Sequence, residues 1–127
     1  MTHGIIYEYE NNKLIVEFYG DYDHGNYRSY YLFAAVGNFA GEGGFTLKRS
    51  TISQHIKTID SMLNTRSGKL RIDDLDSDTF LEFEFQDSLN PHLWVRGTMS
   101  HYTIFTSMSF EFIADQTILS ELKKALK

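Results

Sequence analysis

The chain has 127 residues, of which 42% are hydrophobic and 15% aromatic, and its formal net charge is -5. At this length folding buries roughly two-thirds of the unfolded surface, so a hydrophobic core can form without disulfides or metals. The apolar content excludes intrinsic disorder, and the absence of Cys excludes a disulfide scaffold, a Cys-ligated metal and a thiol nucleophile. We expect a single domain over residues 1–127.

The chain also lacks the signatures of a membrane or nucleic-acid-binding protein. Its longest apolar stretch, residues 30–36, is far shorter than the roughly 18 residues of a spanning helix. Its first residues do not begin a secretory signal, and we therefore expect a cytoplasmic protein without a membrane partner. The acidic balance argues against direct binding of nucleic acid, because Lys and Arg supply most of the affinity for phosphates.

The negative charge is concentrated in one segment. Residues 73–87 contain seven acids and no base, whereas the rest of the chain has ten acids and twelve bases. The seven acids are Asp73, Asp74, Asp76, Asp78, Glu82, Glu84 and Asp87. The net charge of -5 is thus the sum of -7 in this segment and +2 in the rest of the chain. The acidity is therefore local along the sequence.

The first half predicts four strands and a helix. Two β-rich runs, residues 5–10 and 14–18, flank Asn11-Asn12, a pair that tolerates the positive φ of a tight hairpin turn. Alternation predicts Tyr7, Tyr9, Leu14, Val16 and Phe18 on buried faces. Residues 30–36 predict a central strand, residues 37–44 (GNFAGEGG) a loop, and residues 45–48 a short strand. A helix follows, capped by Ser50 or Thr51, with Ile52, Ile56, Ile59 and Leu63 on one face.

The second half predicts the same order. Strands are expected at residues 69–72, 79–86, 93–101 and 106–113, with Leu81, Phe83 and Phe85 on one face. A closing helix is expected from an Asp115 N-cap, burying Ile118, Leu119, Leu122 and Leu126. The fold class is therefore α+β, in the order ββββα-ββββα, with antiparallel sheets and two helices.

Motifs for metal, phosphate or covalent chemistry are incomplete. Asp74, Asp76 and Asp78 resemble the opening of a calcium loop, but Thr79 and Phe85 stand where that motif needs Gly and Glu. We favour a solvated acidic turn, then an acidic patch for a basic protein, and calcium last. The glycine-rich run lacks the ending of a phosphate loop.

The histidines and serines specify no active site. The five histidines have no metal-ligand spacing, and no serine lies in a hydrolase motif. A pair formed by His92 and His101 near Asp87 is only a weak acid–base hypothesis, because nothing positions a partner. We expect no metal, no cofactor and no enzymatic activity.

Residues 18–31 (FYGDYDHGNYRSYY) hold five of the eight tyrosines. Tyr mixed with Gly, Asn and Asp is typical of binding loops, because Tyr provides large contact area at low entropic cost. The same rings could instead cover a sheet edge, and the sequence does not decide between the two.

A family resemblance covers about residues 50–126. It lies in residues 52–63 (ISQHIKTIDSML), 67–70 (SGKL), 80–85 (FLEFEF), 95–97 (VRG) and above all 110–119 (FEFIADQTIL). This succession resembles the WapI-type bacterial immunity family, small cytoplasmic proteins that neutralise the toxin modules of wall-associated or contact-dependent toxins. The resemblance implies binding of a protein partner and no catalysis.

The partner implied by this resemblance is a basic toxin module, because nuclease-type toxins bind phosphates and an acidic surface can block them. The expected contacts are Asp73, Asp74, Asp76, Asp78 and Asp87, with Tyr22 and Tyr27 as aromatic anchors. The alternative is a non-enzymatic ligand-binding or structural domain without a toxin partner.

Overall fold

The computed structural model describes residues 4–20, 22, 25–87, 90–101 and 106–127. Across these ranges the chain forms eight strands and two helices in the order ββββα-ββββα, so the predicted α+β class and element order are confirmed. The elements are β1 (Ile5–Tyr9), β2 (Asn12–Phe18), β3 (Tyr27–Val36), β4 (Phe39–Lys48), α1 (Arg49–Thr65), β5 (Lys69–Asp73), β6 (Phe80–Asp87), β7 (Asn90–His101), β8 (Thr106–Asp115) and α2 (Thr117–Leu126).

Each group of four strands forms an antiparallel sheet in which neighbours in sequence are neighbours in space. The first sheet has the order β1-β2-β3-β4 and the second β5-β6-β7-β8. Consecutive antiparallel strands need only short connections, which is why turn signals in the sequence predict this arrangement.

The predicted loop at residues 37–44 is wrong, because most of it belongs to β4. Gly37 and Asn38 form a two-residue turn, with Gly37 at φ +63°, and β4 begins at Phe39. Glycines are weak strand formers, but here they permit close packing of the sheets. A Cβ atom on Gly41 would lie 2.6 Å from Met108 Sδ, and one on Gly43 would lie 3.4 Å from Met99 Cβ.

The turn between β1 and β2 also differs from the prediction. Its positive φ falls on Glu10, at +54°, and Asn12 already belongs to β2. The β1–β2 register shifts between Ile5 and Tyr7, so Ile6 is the buried residue of β1 while Tyr9 is exposed. Phe18 is also exposed at the end of its strand, contrary to the alternation pattern.

Both halves of the chain contribute to one cluster of buried side chains. The first sheet buries Leu14, Val16 and Leu32, and the second buries Phe83 and Val95. The predicted inward face of β6, with Leu81, Phe83 and Phe85, is confirmed. The Tyr7 ring stacks on Phe112 at 5.2 Å between centroids, which joins the two sheets.

The helices start differently from their predicted caps. Lys48, extended at φ -75° and ψ 150°, precedes α1 without a side-chain cap, and the Arg49 amide donates instead to the Asn26 carbonyl at 2.7 Å. Before α2, Asp115 accepts a 2.8 Å hydrogen bond from the Thr117 amide although Gln116 holds the N-cap position. The buried face predicted for α2 is confirmed.

The end of α2 is tied to the first sheet. Tyr30 Oη donates to the Leu126 carbonyl at 2.8 Å, and an Arg28 Nη donates to the Lys127 carbonyl at 2.8 Å. The last carbonyls of a helix lack partners within the helix. Two strand residues therefore satisfy them and fix α2 against the sheet.

Candidate partner-binding surface

The predicted acidic turn between β5 and β6 is held rigidly against the first sheet. Asp74 Oδ1 accepts a hydrogen bond from the Thr46 amide at 2.8 Å, and Oδ2 accepts one from Ser77 Oγ at 2.5 Å. The Leu75 amide donates to the Thr46 carbonyl at 3.3 Å, and the Asp74 amide donates to the Thr79 carbonyl at 2.9 Å. Both carboxylate oxygens of Asp74 thus serve the fold.

The neighbouring acids of the turn face solvent. Asp76 and Asp78 are exposed, and neither forms an ion pair within the described part of the chain. Asp73 is also exposed, but it accepts a 2.9 Å hydrogen bond from Arg71 Nε. Asp76 and Asp78 are therefore the uncompensated charges of this turn.

The acidic segment is compensated in space although it contains no base in sequence. Glu82, only 7% exposed, lies 3.0 Å from Arg96 Nε and 3.6 Å from an Arg71 Nη. Glu84 lies 2.7 Å from the other end of the Arg96 guanidinium. The bases come from β5 and β7, the strands on either side of β6. The -7 segment is consequently an acidic turn followed by two glutamates that pair with arginines, with Asp87 at the far end of β6.

Asp87 does not join the acidic turn. It ends β6, seven residues from Phe80, and an extended strand rises about 3.3 Å per residue, so the two ends lie roughly 23 Å apart. Its side chain lies outside the described residues. His92 and His101 lie nine residues apart along β7, roughly 30 Å at about 3.3 Å per residue, so the hypothesis that they pair near Asp87 is wrong.

The first predicted aromatic anchor, Tyr22, is engaged within the protein. The Arg28 guanidinium carbon lies 4.2 Å from its ring centroid, and that of Arg49 lies 3.7 Å away. A ring between two guanidinium groups gains cation–π stabilisation on each side. Tyr22 therefore helps to hold its loop, and it is only partly exposed.

The other tyrosines of the segment lie closer to solvent. Tyr27 is 37% exposed, and Tyr19, which the sequence did not single out, is 69% exposed. Tyr19 makes an edge contact with Tyr31 at 6.4 Å between centroids. Because Tyr27, Ser29 and Tyr31 alternate along β3, their side chains project from the same face of the first sheet.

Tyr19 and the acidic turn border one groove. It has a volume of about 510 Å³ and is lined by Tyr19, Ser29, Thr46, Asp74 and Asp76, among others. Ser29 Oγ lies 3.0 Å from Thr46 Oγ1, which connects the tyrosine side of the groove to the acidic side. Tyr19 and Asp76 line this groove, Tyr27 lies two residues before Ser29 on the same face of β3, and Asp78 lies two residues after Asp76. We call these four exposed residues the acid–tyrosine surface.

A second groove, of about 520 Å³, opens between β1 and β8. Tyr7, Tyr9, His92 and Asp115 line it together with Thr117. Hydrogen bonds from the Thr117 hydroxyl and amide lower the pKa of Asp115, whereas burial and the nearby Asp115 carboxylate raise the pKa of Tyr7. This groove therefore combines an ionised Asp115 carboxylate with the neutral phenol of Tyr7.

Within the described ranges, no group of three or more His, Asp or Glu side chains is arranged to hold a metal ion. Neither helix in the described part of the chain is long and apolar enough to cross a membrane.

Comparison of the chain with protein families, curated proteins and solved structures finds no match in any of the three. We therefore infer function from the chemistry of the exposed side chains, from the geometry of the acid–tyrosine surface and from the resemblance over residues 50–126.

Proposed function

We propose that the protein is a bacterial immunity-type protein that binds and neutralises a cognate polymorphic or contact-dependent toxin module in the cytoplasm. The acid–tyrosine surface is its contact region, and a basic, nuclease-type module is the partner that the charge favours. The protein acts by occlusion and catalyses no reaction.

The observation that carries this proposal is the convergence of the acidic turn and the tyrosine segment on one groove. The hydrogen bond between Asp74 and Thr46 ties the turn to β4, Asp76 lines the groove with Tyr19, and the exposed Asp78 follows two residues later. A preorganised surface loses less entropy on binding than a mobile one. Exposed Tyr and unpaired carboxylates supply the anchors and the charge complementarity of a protein interface.

Nuclease modules bring a matching charge, because they must bind phosphate backbones. An acidic partner is steered to such a basic surface and covers the groups that would bind nucleic acid. The predicted contacts are therefore sharpened to Asp76 and Asp78, while Asp74 supports them from within the turn.

The alternative function is small-ligand binding without a toxin partner. The groove between β1 and β8 favours it, because Tyr7, His92 and Asp115 converge there. The two proposals use different surfaces, so substitutions in one leave the other intact.

Co-expression tests the immunity proposal. The toxin is the C-terminal module of the large secreted protein encoded directly upstream, and it is induced in cells with or without this chain. We expect the wild-type chain to restore growth. The D76K/D78K double variant should protect poorly, because it replaces two attractive charges by repulsive ones.

The matched control is E10K/E111K, which makes the same charge change at two exposed positions away from the acidic turn. It should protect as well as the wild type. Growth inhibition that the wild-type chain does not relieve, or a neighbouring region without any such toxin gene, contradicts the proposal.

A further inference from the structure

The first sheet has an open edge along β4. β4 is the last strand in the order β1-β2-β3-β4, so among the described residues no strand pairs with the outer side of its backbone. The hydrogen bonds of Thr46 show which backbone groups of β4 point away from β3. Its amide and carbonyl bond to Asp74 and Leu75 rather than to β3.

Outward-facing backbone groups recur at every second residue of an antiparallel edge strand. The β3–β4 register is unbroken from Tyr27↔Lys48 to Val36↔Phe39, so the residues in phase with Thr46 are Gly44, Glu42 and Ala40. Within the described part of the chain, their outward amides and carbonyls have no hydrogen-bond partner.

This edge is reachable from solvent. Ala40 and Glu42 are exposed, and Phe39 beside them is 76% exposed. Buried backbone groups are almost always paired, so unpaired ones of this kind are open to water or to another chain. A free edge is a template for an added strand.

We infer that this edge, residues 40–44 of β4, receives an extended basic segment of the toxin as an additional strand. The inference rests on the proposed function and names how the partner is held. The acidic turn already adds to the same edge at Thr46, so a docked strand would continue that pairing along β4.

The charge around the edge selects a basic strand. Glu42 lies on the edge, and Asp76 lies in the groove beside Gly44 and Thr46. Gly44 itself lines this groove. Alternate side chains of that strand would point to this outer face, where Lys or Arg would meet the carboxylates.

A peptide probe tests the edge directly. It is a blocked seven-residue peptide of alternating lysine and valine, titrated into the ¹⁵N-labelled full chain and followed by NMR. We expect shifts of the Ala40, Glu42 and Gly44 amides and slower hydrogen exchange at these three positions. The same peptide N-methylated at alternate residues should bind on the order of tenfold more weakly, because it loses strand-pairing donors.

Either of two results in this titration would overturn the inference. One is the absence of shifts at these amides with millimolar peptide, and the other is equal binding of the N-methylated peptide. An alternating glutamate–valine peptide should not bind if the acidic surroundings select the strand.

Toxin neutralisation separates this inference from the proposed function. A40P removes an outward amide, which an edge strand tolerates, whereas A40V adds bulk and keeps the amide. If A40P folds and loses protection while A40V keeps it, the edge is used. If both protect fully, the edge inference fails and the immunity function stands. If the wild type does not protect but the peptide binds the edge, the function fails and the edge site stands.

Discussion

The amide of Thr46 donates a 2.8 Å hydrogen bond to the carboxylate of Asp74, 28 residues later in the chain. This bond fixes a turn of the second sheet against the edge strand of the first. It places Asp76 beside Tyr19 and leaves the rest of the β4 edge open. The proposed toxin-binding surface and the inferred strand-docking edge both depend on it.

Removing the Asp74 carboxylate should loosen this junction. We expect D74A to lower the free energy of unfolding by about 1–3 kcal/mol, because hydrogen bonds from Thr46 and Ser77 are lost at a partly buried site. D74N, which keeps the acceptor for Thr46, should lose less. Urea denaturation gives both values. The exposed D78A serves as control, and an equal loss in D78A would contradict this role of Asp74.

Two glycines of the sheets should respond differently to alanine. A Cβ on Gly97 would lie 2.6 Å from the Phe80 carbonyl oxygen and 2.8 Å from the Phe110 ring, neither of which can move freely. A Cβ on Gly41 would meet Met108 Sδ, which belongs to a flexible side chain. We expect G97A to lower the free energy of unfolding by about 1–3 kcal/mol and G41A to lower it clearly less. Thermal or urea unfolding of both variants tests this order, and the reverse order would be inconsistent with the packing.

His55 in α1 should make folding sensitive to mild acid. Burial lowers the pKa of His55 below its usual 6.5, with Asp73 acting weakly in the opposite direction, and Nε2 is buried without a hydrogen-bond partner in the described structure. His55 therefore binds a proton more readily in the unfolded chain than in the folded one. The free energy of unfolding consequently falls as the pH drops through about 6.5.

The measurement is urea unfolding of wild type and H55Q on both sides of that pH. H55Q should lose part of the acid dependence. Identical acid dependence in wild type and H55Q would show that His55 is not the responsible group.

Ionisation of Tyr30 should destabilise the fold at high pH. Burial raises the pKa of Tyr30 from 10.0 to about 12, and its hydroxyl donates to the Leu126 carbonyl. Because the folded state keeps the phenol neutral, its contribution is complete below pH 10 and is lost as the pH rises towards 12. Y30F should be less stable near neutral pH by about 1–3 kcal/mol, since it leaves the Leu126 carbonyl unpaired.

Unfolding of wild type and Y30F between neutral pH and pH 12 measures this effect. The gap between the two proteins should narrow as the pH rises above 10, and a constant gap would contradict the role of the buried phenol.

The order of elements could be predicted because most strands and both helices carry their own patterns. Leu81, Phe83 and Phe85 alternate along β6, and Ile118, Leu119 and Leu122 share a face of α2. Residues 45–48 of β4 were predicted as a strand, but residues 39–44 were missed because the reason for their conformation lies elsewhere in the chain. Gly41 and Gly43 are needed by Met108 and Met99 of the second sheet, and glycine alone indicates a loop.

The candidate site could be predicted only in part, because contacts from other strands also determine its charge and exposure. The sequence located the acidic turn, but Arg96, which neutralises Glu82 and Glu84, comes from another strand. It named Tyr22, which Arg28 and Arg49 enclose. Exposure separates Tyr19 from Tyr22, and exposure depends on packing that residue spacing does not encode.

Toxin binding itself is measured by calorimetric titration of this chain with its proposed partner, the purified C-terminal module of a large secreted protein encoded upstream. We expect a one-to-one complex that weakens with rising salt. D76K/D78K should bind at least about tenfold more weakly, whereas E10K/E111K should bind like the wild type. Absence of binding, or equal affinity in D76K/D78K and the wild type, would contradict the assignment of the acid–tyrosine surface as the toxin-binding site.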